Sequence, residues 1–249
     1  MISLDSCNQS TNDFLREAKA LEFSVYEKLM MNYEKYKTQL RKHAFHITIT
    51  PFNLNIKEIA EQLYRMGVAH IHFDLVKSDD PMFLFSQKDI DKLKIEYEEL
   101  CELIISLLKE RKMPSCHPLM RNLGCLHERS YYRLRCGVLK KQICIDPVGN
   151  IYPCDMLMWN QYAMGSIYEG IDTAASNKLI KQMQTEDGCN ECWARYLCGG
   201  KCLNEVIWEN KEQQRLRCEL KKHIAKLQIY LYDYLIQNNI DIDFNNYKY

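Results

Sequence analysis

The sequence has no excess charge of either sign, with 33 basic residues against 33 acidic ones over 249 positions. A chain without a net field is not steered toward nucleic acid or an anionic membrane surface. Its 16 tyrosines show no alternation with basic residues of the kind that stacks RNA bases. No run approaches the roughly 18 apolar residues that a membrane-spanning helix needs. The first residues, MISLDSCNQS, carry neither a basic segment nor an apolar one. That predicts no secretory leader, and a cytoplasmic protein. Repeats and low-complexity tracts are missing as well. Cysteine is scarce at first: only Cys7 and Cys101 of the 12 precede residue 116. The shift across residues 112–135 marks the expected domain boundary.

What is there is concentrated in CNECWARYLCGGKC, residues 189–202, where four cysteines are spaced C-x2-C-x5-C-x3-C. Upstream, Cys136 and Cys154 bracket Gly149 in a C-x12-G-x4-C pattern, and Cys218 follows downstream. Soft metal centres need several thiolates converging on one point. Glycines help, because a bend without a Cβ lets neighbouring sulfurs turn inward together. An even number of cysteines also permits disulfides. In a chain with no leader, metal binding is the expected use, as iron–sulfur clusters or as structural zinc. Seven cysteines in this order predict two centres.

The rest of the chain reads as alternating strands and helices. Met1–Asp5 is expected to be a strand, followed by a polar loop through Phe23. Ser24 and Glu27 form a capping box for a helix running to Arg41-Lys42. Ala44–Thr50 is β-branched and aromatic, hence a strand. Asn55 with Glu58 caps the next helix, which Gly67 stops, and His70–Val76 alternates as a further strand. His70 and His72 share a strand face; the expectation is a polar edge of the strand, not a metal site. His43 and His46 are read the same way. Ser86 with Asp89 opens what reads as the longest helix. Three strand–helix units over residues 1–111 predict an α/β fold with parallel strands. Residues 112–135 read as a linker. Gln142–Asp146 and Asn150–Cys154 form a hairpin about Pro147-Val148-Gly149. Glu205 to about Asn238 reads as one helix with a seam of Ile224, Leu227, Leu231 and Leu235.

The cysteines at 136, 154, 189, 192, 198, 202 and 218, with the Gly149-x4-Cys154 spacing, resemble the SPASM pattern of radical S-adenosylmethionine (SAM) enzymes that mature peptides and proteins. The resemblance implies two auxiliary [4Fe-4S] clusters with interleaved ligands. One would use Cys136, Cys154 and Cys202, with a fourth ligand upstream, Cys125 here, or an open site; the other would use Cys189, Cys192, Cys198 and Cys218. More weakly, MISLDSCNQSTNDFLR is similar to a strand and loop of the radical SAM core. There Ser3, Asp5 and Arg16 would shape the SAM pocket. Asp155, next to Cys154, matches a position that serves as a general base in sulfatase-maturing members. The implied fold is the C-terminal half of a partial (β/α) barrel over 1–111, holding equivalents of barrel strands three to five. A cysteine-rich SPASM domain with a C-terminal helix would follow over 136–249. The implied partner is a peptide or protein substrate.

One family feature is missing. C-x3-C-x2-C, the motif of the SAM-cleaving cluster, occurs nowhere in the sequence, and neither does a GGEP-like segment. The expectation is therefore an auxiliary-cluster carrier that does not cleave SAM alone. It would bind SAM only when an N-terminal part, or another chain, supplies the first barrel strands beside an open strand edge. The readings of other classes are a non-catalytic peptide-binding remnant and a zinc-stabilised module.

Overall fold

The computed structural model describes residues 1–16, 23–40, 43–131, 137–138, 142–184, 189–208 and 210–247. The chain forms two compact units, residues 1–130 with 215–249, and residues 131–214. The expected boundaries at 111 and 136 thus differ from the observed division. The C-terminal helical segment from Arg215 packs with the first unit.

The first unit is built on four parallel strands in the order β1-β2-β3-β4: β1 (Ile2–Ser3), β2 (Ala44–Ile49), β3 (His70–Leu75) and β4 (Ser115–His117). The reading of three strands was one short, because β4 lies in the stretch read as a linker. That stretch also holds a short helix, α5 (Leu123–His127). β4 has three residues and no alternation long enough to detect. Another missed helix, α1 (Gln9–Leu15), lies in the expected polar loop, where the Asn8 side chain accepts the Thr11 amide at 3.0 Å. Its heptapeptide QSTNDFL is too polar to show a helical period.

The remaining helices follow the sequence closely. Ser24 caps α2 (Val25–Tyr36) by accepting the Glu27 amide; the residues expected to end this helix, Arg41 and Lys42, lie outside the described residues. α3 (Ile56–Arg65) differs at its start, since the Asn55 amide group bonds to the Glu58 carboxylate and caps no backbone. Gly67 ends it at φ +85°, where a residue without a Cβ is favoured. α4 (Gln87–Lys109) starts with a complete Ser86–Asp89 capping box.

Strand period and helix period meet in the core. Phe45, Ile47, Ile49, Ile71 and Phe73 cover one face of the sheet. Against it pack Ile56, Ile59, Ala60 and Leu63 of α3 and Ile90, Leu93, Tyr97, Leu100, Ile104 and Leu108 of α4. Burial of each large apolar side chain contributes about 2–3 kcal/mol.

In the second unit, β5 (Cys144–Ile145) and β6 (Ile151–Tyr152) pair antiparallel as expected, though shorter. The Asp146 carboxylate accepts the amides of Val148 and Asn150 at 3.0 and 2.9 Å and closes the turn. Gly149 sits at φ +94°, and a Cβ there would lie 2.9 Å from Ile167 Cγ1. Its place in the C-x12-G-x4-C spacing therefore has a local steric reason. A second hairpin, β7 (Gly165–Ser166) and β8 (Gly170–Ile171), precedes α6 (Thr173–Gln184). α7 (Arg195–Cys198) and α8 (Leu203–Trp208) complete the unit.

The single helix expected from Glu205 to Asn238 is two, α8 and α9 (Lys211–Gln237). Asn210 separates them, its side chain accepting the Gln213 amide at 2.9 Å as a new N-cap. α9, with 27 residues, is longer than α4 with 23. Ile224, Leu231 and Leu235 of its expected seam are buried and Leu227 is partly buried.

Candidate functional site

The cysteine loop is a run of tight turns. The Cys192 amide bonds to the Cys189 carbonyl at 3.3 Å and the Arg195 amide to the Cys192 carbonyl at 3.0 Å. α7 then carries Cys198, whose amide reaches the Ala194 carbonyl at 2.7 Å. Gly199 and Gly200 follow at φ +73° and +87° and reverse the chain, a left-handed pair that side chains resist. Cys202 stands at the start of α8, its amide bonded to Glu205 Oε2 at 3.2 Å. All four cysteines are half-buried.

None of the eleven described cysteines is in a disulfide. Cys136 lies outside the described residues. Cys154 is buried two residues beyond the end of β6, after Pro153. Asp155 next to it is exposed and opens a short 3-10 turn, Asp155–Leu157. Cys125 is buried in α5 and Cys218 is half-buried in α9. Among the described residues no three cysteine sulfurs lie within 4.8 Å of one another. Zinc with thiolates at about 2.3 Å draws its sulfurs to about 3.8 Å apart.

Cysteines outside the motif have a different chemistry. Burial pushes the thiols of Cys101 and Cys116 up to about 12, and each is 1% exposed. At pH 8 their thiolate fraction is about three orders of magnitude below that of an ordinary thiol. Iodoacetamide at that pH is expected to leave both unmodified while labelling the half-buried Cys144, as peptide mass mapping would show. Equal labelling would contradict the buried placement.

The other face of the sheet is polar. Parallel register aligns Ser3 with His46, His46 with His72, and His72 with His117, so one row of side chains crosses all four strands. Two residues along, Thr48 pairs with Asp74. The loop after β1 is ordered about Asp5: its Oδ1 accepts the Thr48 amide at 2.9 Å and its Oδ2 meets Arg16 Nε at 2.9 Å. Asn53, 1% exposed, donates to the Asp5 and Thr48 carbonyls and accepts the Thr50 amide and hydroxyl. Of the three expected pocket residues, Asp5 and Arg16 are therefore joined directly, and Ser3 lies at the end of the histidine row.

The histidine row went unrecognised in the sequence. The available signal was the i, i+2, i+4 set His70, His72 and Asp74. It pointed to one face but not to the neighbour strands that bring His46 and His117 to it.

No family model matches the chain, and no curated protein does. Solved structures do. Hexahistidine-tagged anSMEcpe with bound AdoMet superposes with a TM-score of 0.75 at 14% identity, covering 98% of this chain and 67% of that one. This chain has the fold of an anaerobic sulfatase-maturing enzyme. Native anSMEcpe with bound AdoMet and Cp18Cys peptide matches at a TM-score of 0.70 and 15% identity, over 96% of this chain and 69% of that one. A further structure of the same maturase, with bound AdoMet and Kp18Cys peptide, matches at a TM-score of 0.68 and 13% identity, over 93% of this chain and 68% of that one. These neighbours are radical SAM/SPASM proteins, and the shared fold is α/β with a parallel sheet. No helix among the described residues is long and apolar enough to cross a membrane.

Proposed function

We propose that this chain is the auxiliary-cluster portion of a radical SAM/SPASM peptide or protein maturase. The observation that carries the reading is the superposition over 98% of the chain, on a sequence whose cysteines keep the SPASM spacing. Cys189, Cys192, Cys198 and Cys218 would hold one [4Fe-4S] cluster. Cys136, Cys154 and Cys202, with Cys125, would hold the other. Such clusters supply electron transfer or a binding point for substrate. The protein's own part is to present thiolates on rigid turns: α7 with the two left-handed glycines for Cys198, the β5–β6 hairpin for Cys154, and the start of α8 for Cys202.

The half-barrel is the reading that suits the four-stranded parallel sheet, and in it Ser3, Asp5 and Arg16 would border a SAM pocket. The Arg16–Asp5 pair and the Asn53 bonds support it by fixing the loop after β1. Asp155, exposed beside Cys154, would serve as the general base in this reading. A peptide or protein would be the substrate. Without C-x3-C-x2-C the chain lacks the three close thiolates that leave one iron open for SAM, so cleavage of SAM awaits a partner segment or chain.

Anaerobic reconstitution tests the reading. It should yield a brown protein absorbing near about 400 nm with acid-labile sulfide, as thiolate-bound clusters do. A colourless protein with stoichiometric zinc would overturn it. Deoxyadenosine should not form from SAM and reductant with this chain alone; robust turnover would overturn the proposed dependence on a missing segment.

A further inference from the structure

The polar face of the sheet carries a second constellation that has no part in the cysteine reading. Nε2 of His72 lies 3.2 Å and Nε2 of His46 3.6 Å from the same oxygen, Asp74 Oδ2. Among the described residues these three form the one group of metal-competent side chains whose ligand atoms all lie within 4.8 Å. Each comes from a strand, and the pairing of His46 with His72 and of Thr48 with Asp74 sets their spacing. Strand-borne ligands are held more precisely than ligands on loops.

The contact between His72 and Asp74 is short but off the line a hydrogen bond requires. Nε2 of His72 is shielded from solvent and has no hydrogen-bond partner. A buried ring nitrogen left this way is costly unless something else meets its lone pair. Several donor atoms converging on one point are what a cation needs. Around a tetrahedral ion with ligands at about 2.0–2.1 Å, neighbouring ligand atoms stand about 3.3 Å apart, close to the 3.2 and 3.6 Å seen here.

The surroundings fit. As a carboxylate, Asp74 would bring the negative charge that a dication favours. Its side chain is 45% exposed, so open coordination positions would face solvent.

His117 orients the group from behind. Its ring packs on that of His72 with centroids 3.8 Å apart and the planes tilted by 47°, and its Nε2 lies 2.9 Å from Arg121 Nη1. A guanidinium only donates, so that nitrogen accepts. His117 is thereby a positioning residue and not a ligand.

We propose that His46, His72 and Asp74 form a mononuclear site for a divalent transition metal of the zinc class, two imidazoles and one carboxylate with positions left open for water or a ligand. Two histidines and a carboxylate are a recurrent open-site donor set. The assignment rests on the sheet alone and stands whether or not the cysteines hold clusters.

The test uses the full chain, prepared with its cysteines reconstituted, then titrated with Zn2+ and desalted. Wild type should retain one zinc beyond any in the variants His72→Ala and Asp74→Asn, with iron content the same in all three. Zinc-edge X-ray absorption should show that zinc with nitrogen and oxygen neighbours at about 2.0–2.1 Å, against about 2.3 Å for sulfur. Asp74→Asn keeps the side chain's shape, so its loss of zinc with unchanged circular dichroism separates ligation from folding. His70→Ala, on the same strand and outside the group, should keep the zinc. Equal zinc in wild type and both ligand variants, zinc bound only through sulfur, or the same loss in His70→Ala would each overturn the site.

Discussion

Cys198→Ala is expected to lower the iron content of the reconstituted protein from about eight atoms per chain to about four, since each cluster of the proposed kind carries four. It should also destabilise residues 131–214, because metal binding to a site that does not exist in the unfolded chain is folding free energy. Cys198 closes α7 ahead of two left-handed glycines, with its sulfur 3.6 Å from the Gly200 carbonyl. The comparison variant is Cys7→Ala. Burial pushes the Cys7 thiol up to about 12, and its sulfur faces the Ile59 carbonyl at 3.9 Å. That variant should keep its iron. Iron analysis and thermal melting of the two proteins decide the matter; equal values for both would remove Cys198 from the ligand set.

The second large effect concerns the loop after β1. Asn53→Ala removes a side chain that makes four buried hydrogen bonds, to Asp5, Thr48 and twice to Thr50. It strands two carbonyls and an amide away from water. At about 1 kcal/mol for each bond and more for each orphaned group, the loss is about 3 kcal/mol or greater. Hydrogen exchange at Thr48 and Thr50 should accelerate by roughly a hundredfold, as that energy implies for local opening. Asn55→Ala, which removes one exposed contact to Glu58, should leave the same amides unchanged. If Asn53 borders a SAM pocket by holding Asp5, its loss should also weaken SAM binding in the completed enzyme.

Much of this architecture is written locally. Ser86 and Asp89 cap α4 as their spacing demands, and Gly67 and Gly149 sit where only a residue without a Cβ is comfortable. The strands Ala44–Ile49 and His70–Leu75 alternate over six residues each, long enough for the period to show. β4 and α1 escaped because three residues of strand and seven polar residues of helix carry no period; pairing with β3 and the Asn8 cap make them. The break between α8 and α9 escaped because residues 209–215 are all polar, with no Gly or Pro to mark a stop, and a single asparagine restarts the helix. The candidate sites divide the same way. A cysteine loop is local, so its spacing is visible in the chain. The histidine row is made by register between strands far apart in the chain, His46 against His72 and His72 against His117. Parallel register has no hairpin to announce it.

The two-unit division has a thermodynamic consequence. Residues 131–214 interrupt a unit whose chain leaves at Ser130 and resumes at Arg215. Topologically they are an insertion. When they are unfolded, the first unit must close a flexible loop of about 84 residues, which costs about 4 kcal/mol in chain entropy. When they are folded, the loop's ends are already fixed and most of that cost disappears. Order in the inserted segment therefore strengthens the sheet unit, by shortening the tether that the sheet must close.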